Sequence, residues 1–167
     1  MNAIWAALIG VGGTVLGSTI TFFVQRSVAD EAARRGEVER ARQERLDAYV
    51  AFLSIVLRFR GTEIDRWHCE HEDPDADSTR TARAEARTAR AEAIAALSRV
   101  LLLAGGDELQ RNATDCVDAV GRIHTADTAE ERDERITHAN FRIRWLSEAA
   151  GRDIGASRVE LPQLGFS

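Results

Sequence analysis

ARAEARTARAEAIAALSRVLLLAGG, residues 82–106, carries its apolar side chains on a single helical face. Ala82, Ala86, Ala89, Ala93, Leu97, Val100 and Ala104 recur at spacings of four and three, the period of an α-helix. Gly105-Gly106 closes the pattern with residues suited to a left-handed cap. Upstream, Asp73-Pro74 predicts the helix start, with Asp73 as cap and Pro74 in the first position.

The same period continues on both sides. Asp107 with Gln110 resembles a capping box and opens a third helix through Leu109, Ala113, Cys116, Val120 and Ile123. Thr128 with Glu131 is a second box. It opens a fourth helix through Ile136, Ala139, Ile143, Leu146 and Ala150, which Gly151 is expected to stop. Before the acidic stretch Glu63–Asp77, a heptad-like helix runs through Leu46, Tyr49, Leu53 and Val56, widened by Val50, Phe52, Leu57 and Phe59. It is expected to reach Trp67, with Gly61-Thr62 as a possible interruption. Alternation at period two is absent, so strands are not expected. Short connections between helices imply antiparallel neighbours.

The N-terminus reads differently. Met1 to Gln25 contain no charged side chain, and Ala3–Val24 is an apolar run of 22 residues. At ~1.5 Å per residue it reaches about 33 Å, enough for a bilayer core. A signal peptide would need a basic n-region, which Met1-Asn2-Ala3-Ile4 lacks, although Ser27-Val28-Ala29 resembles a cleavage site. Arg26, Arg34 and Arg35 follow the run, so the positive-inside rule places the N-terminus outside and the bulk of the chain in the cytoplasm. Residues 26–45 alternate six Arg with five acidic residues and read as a solvated helical stalk.

The expected architecture is therefore all-α. It has a transmembrane anchor over 1–25, a charged stalk over 26–45, a small antiparallel bundle over 46–151 and an irregular tail over 152–167. Within the anchor, Ala6, Gly10, Gly13, Gly17 and Thr21 share one face, and Gly13–Gly17 matches GxxxG. Small residues at that spacing let helices approach closely in lipid, so homo-oligomers are expected. In the tail, Val159, Leu161, Leu164 and Phe166 are available to pack back on the bundle or to meet a partner.

Chemistry is harder to place. All 22 basic residues are Arg, and the net charge of −5 lacks the basic footprint of a nucleic-acid binder. Cys69 and Cys116 have neither metal nor redox spacing and read as reduced thiols. His68 and His71 sit within HCEHED, the densest set of potential ligands, without the three or four convergent ligands that zinc needs. Arg80, Arg83, Arg87 and Arg90 form a basic stripe beside the Ala face. The acidic stretch across the turn is its nearest counter-charge, and nucleic acid or an acidic protein partner is the other reading. His124 and His138 lie beside the apolar stripes. No nucleophile, base and orienting carboxylate coincide, so neither an enzyme nor a cofactor is expected.

The Gly-rich run with Gln25-Arg26 at its exit, the Arg/Glu stalk, and RLDAYVAFL at 45–53 entering a bundle resemble a known layout. It is that of small actinobacterial single-pass membrane proteins, some of them KilB-like plasmid spread proteins. The resemblance implies a membrane-associated role around plasmid transfer or a mobile element and brings no catalytic residues. Two functions follow as expectations: a membrane-anchored scaffold for a cytoplasmic protein partner, or a small oligomeric, holin-like pore.

Overall fold

The computed structural model describes the backbone from Asn2 to Ala156 and the side chains of residues 34–155. Four α-helices follow one another: α1 (Asn2–Glu72), α2 (Asp77–Leu103), α3 (Asp107–Gly121) and α4 (Ala129–Ala156). A single 3₁₀ turn, Ile123–Thr125, lies between α3 and α4. The described residues contain no strand, as the period of the sequence requires. By contacts the chain divides into two compact units, Met1–Ala41 and Arg42–Ser167.

In the second unit the helices pack around one apolar core. Phe52, Val56 and Phe59 of α1, Ala89, Ala93 and Val100 of α2, Ala113, Cys116 and Val120 of α3, and Ala139 and Leu146 of α4 are all buried in it. Large side chains on α1 share this core with a ladder of alanines on α2, whose small size lets the two helices approach closely. Alanine contributes little apolar area itself, and its role here is to admit the aromatic rings of its neighbour.

In the first unit the described side chains, 34–41, are almost all exposed, which suits an Arg/Glu-rich helix without an apolar face. No helix among the described residues is long and apolar enough to cross a membrane. The side chains of the apolar run Ala3–Val24, and with them Ala6, Gly10, Gly13, Gly17 and Thr21, lie outside the described residues. So does the tail beyond Ala156.

Several helix ends differ from expectation. α1 passes Gly36 and Gly61 without interruption and continues past Trp67 to Glu72. Asp73 and Pro74 do not start α2. They belong to a turn in which Asp73 Oδ1 accepts the Asp75 N–H at 3.2 Å, and the helix begins after Ala76. The turn is held by Thr79, fully buried, whose hydroxyl lies 2.9 Å from the Cys69 carbonyl and 2.6 Å from that of Asp73. Gly105 and Gly106 do not adopt a left-handed conformation. A Cβ on Gly105 would lie 2.8 Å from Asp153 Oδ1, so a side chain there requires that carboxylate to shift. α3 starts at Asp107 without a side-chain cap, because the cap position falls on Gly106 rather than Asp107, and Gln110 turns to the Leu101 carbonyl at 3.1 Å. The Thr128 box does form: Thr128 Oγ1 accepts the Glu131 N–H at 3.2 Å, and Glu131 reaches back to the Asp127 N–H at 2.9 Å. α4 runs through Gly151 to Ala156.

Candidate functional site

The stripe of α1 that supplies Phe52, Val56 and Phe59 continues at the same spacing to Glu63 and Trp67. The helix therefore carries a carboxylate into a position made for an apolar side chain. Glu63 is 2% exposed. His124, in the 3₁₀ turn, brings Nδ1 to 2.6 Å from Glu63 Oε2, without the alignment of a hydrogen bond. Burial pushes the Glu63 carboxyl up to about 7, against the pull of Arg66 and Arg90. Burial, with the Arg66 charge, moves His124 the other way, below its usual range. Both shifts favour uncharged forms. Burial therefore works against an ion pair at this contact.

A shell of charge surrounds this pair. Glu70 accepts from Arg83 Nε at 2.7 Å and from Arg66 Nε at 3.0 Å. Burial acts against the Glu70 carboxylate, but those two hydrogen bonds prevail and hold its carboxyl below the usual range. Next to Glu63 on the helix, Trp67 donates Nε1–H to the Ala126 carbonyl at 2.8 Å, fixing the end of α1 to the segment before α4. Its ring stacks on His71 at 3.9 Å and carries the Arg132 guanidinium at 4.4 Å.

These contacts account for much of what the sequence singled out. Arg83 pairs with the acidic stretch, and Arg80 pairs with Asp77 and donates to the Asp75 carbonyl at 3.0 Å. Arg90 contributes its field to Glu63 and His124, while Arg87 is exposed. The four arginines therefore divide among different surroundings. His71 donates Nδ1–H to the Trp67 carbonyl at 2.9 Å, and His68 Nε2 lies 3.3 Å from Arg132. A cation so close opposes a dication at His68, and no group of three or more potential metal ligands stands together among the described residues. Neither of two surface grooves is lined by Glu63 or His124. One, of about 430 Å³, includes Arg58, Thr62, Glu85 and Glu92; the other, of about 400 Å³, includes Arg122, Glu134 and His138.

The family model for the KilB plasmid transfer protein matches residues 46–154, more than half of the sequence. The chain belongs to the KilB plasmid transfer protein family. No curated protein and no solved structure gives a significant match. The KilB match begins at Leu46 in α1 and ends at Ile154, two residues before the end of α4, so it coincides with the helical bundle. Glu63, Trp67, His124 and the arginines of α2 all fall inside it.

Sequence reading missed Glu63 and Trp67 as partners because Glu63–Asp77 reads as a solvated acidic turn. The available signal was position: Glu63 stands four residues after Phe59 and four before Trp67 on the core face. His124 was placed beside a stripe, where it is. Its partner comes from a helix 61 positions earlier, and no local pattern indicates that.

Proposed function

We propose that this KilB-family chain serves plasmid transfer as a non-enzymatic contact module. The run Ala3–Val24 anchors it in the cell membrane as a single pass, with the N-terminus outside and the bundle in the cytoplasm. Copies associate through Ala6, Gly10, Gly13, Gly17 and Thr21 and display their bundles to a cytoplasmic protein partner. The observation that carries this reading is the juxtaposition in one chain of a family bundle with an uncharged 22-residue run and its Arg flank. The internal pairing of Arg83 and the Glu63–His124 contact fit a bundle that acts through its outer surface.

Membrane fractionation of expressing cells tests the anchor, since the chain should resist alkaline extraction; its release into the supernatant would sink the proposal. Crosslinking in those membranes tests assembly. Gly13→Leu with Gly17→Leu should reduce the crosslinked species, and an unchanged ladder would remove the glycine face from the account. The pore reading takes support from Thr14, Ser18 and Thr21, the polar side chains of the run. Dye release from liposomes separates the two, because a scaffold leaves the bilayer sealed.

A further inference from the structure

The core face of α1 accounts for only part of its apolar surface. Leu46, Val50, Leu53 and Leu57 follow one another at spacings of four, three and four and form a second stripe. Leu46 is 38% exposed, Val50 55% and Leu57 45%, with Leu53 half-buried between them. One flank of this stripe adjoins α4. Tyr49, one turn before Leu53, donates its hydroxyl to Asp153 Oδ2 at 2.7 Å, and Arg60, one turn after Leu57, bonds Asn140. On the other flank stand Ser54 and Gly61, and a Cβ built on Gly61 meets open space. The stripe is thus a shallow apolar shelf with a low outer edge.

We propose that this shelf is the docking site of the chain's own segment 157–167. Position supplies the first reason. Asp153 touches Tyr49, three residues from Leu46, and α4 ends three residues later at Ala156. The following segment therefore departs beside the Leu46 end of the shelf. Length supplies the second. Leu46 to Leu57 spans about 17 Å along the helix, and the nine steps from Ser157 to Phe166 reach about 30 Å when extended. That leaves enough chain to turn back and run along the shelf. Composition supplies the third. Val159 and Leu161, then Leu164 and Phe166, stand two apart, so each pair shares a side of an extended chain, and Pro162 disfavours a helix between them.

The three half-exposed aliphatic side chains offer on the order of 250 Å² of apolar surface, too little by itself to hold a free partner. An intramolecular segment needs far less, because its effective concentration is set by a tether of a few residues.

The test follows thiol labelling at position 50 in the full-length Val50→Cys chain, in detergent-free lysate, with N-ethylmaleimide as probe and the adduct located by peptide mass. A companion chain also carries Val159→Ser, Leu161→Ser, Leu164→Ser and Phe166→Ser. Helical circular dichroism and an unchanged denaturation midpoint of the bundle establish that both are folded. The companion should label about tenfold faster, and co-expressing a chain that keeps both Val50 and the intact tail should not slow it. Equal labelling rates overturn the proposal. Protection restored to the companion by that co-expressed chain also overturns it, because it would identify a second copy as the cover.

Discussion

A carboxylic acid buried against an imidazole makes folding depend on pH in a direction that can be stated in advance. Glu63 titrates near 7 in the folded chain against about 4.5 when unfolded, so the native state holds a proton that the unfolded state has released between those values. Stability from this group is complete below pH 4.5 and is lost as pH rises through 7, by about 3 kcal/mol at 1.36 kcal/mol per unit. His124 acts oppositely. Its folded value lies below 6.5, so the unfolded chain takes up its proton first and stability is lost as pH falls below 6.5. E63Q should abolish the alkaline decline and leave the histidine slope exposed. Urea denaturation at pH 4, 6 and 8 checks this: a parent-minus-variant difference that stays constant across the three would show that Glu63 is not the titrating group. Cys116 offers a second check. Fully buried, with its thiol pushed up to about 12 by burial, it should resist alkylation in the native bundle while the partly exposed Cys69 reacts. Comparable labelling of both thiols would mean that the core around Cys116 opens readily.

The turn between α2 and α3 and the last turns of α4 are coupled through one carboxylate. Asp153 accepts from Tyr49 at 2.7 Å, has Arg45 at 3.8 Å, and occupies the space beside Gly105. A methyl group on Gly105 must shift Asp153 Oδ1, and the shift disturbs the carboxylate whose Oδ2 accepts from Tyr49. Tyr49→Phe should lower stability by about 1–3 kcal/mol, the range for a hydrogen bond to a charged group. Gly105→Ala should lower it by less, and the double variant by less than the sum, because both act on the same carboxylate. Strictly additive midpoints in urea would disprove the coupling. The same turn shows which features were legible in the sequence. The alanine face of α2 and the Leu109, Cys116, Val120 face of α3 were readable because a helix repeats its own neighbours every three or four residues. The conformation of Gly105 was not, since its small size answers to Asp153 on another helix rather than to a left-handed backbone. Asp73-Pro74 misled for a related reason: a local capping signal gave way to Thr79, whose hydroxyl reaches the carbonyls of Cys69 and Asp73.

For the molecule as a whole, family membership and core both belong to the second unit. The match covers 46–154, and the packed unit begins at Arg42, so the residues that bury one another are nearly those that the family model describes. The apolar run lies outside that match, and the proposed function assigns its 22 uncharged positions to the membrane. A fragment of residues 42–167 should therefore unfold cooperatively in urea with a single transition seen alike by circular dichroism and tryptophan fluorescence, since Trp67 is packed between α1 and the segment before α4. The same fragment should remain in the aqueous phase of a detergent phase separation, while the full chain partitions into the detergent. Non-coincident transitions would mean that residues 42–167 do not fold as one cooperative unit. A full chain that stays in the aqueous phase would remove the membrane anchor from the proposed function and leave the KilB-family bundle to act without it.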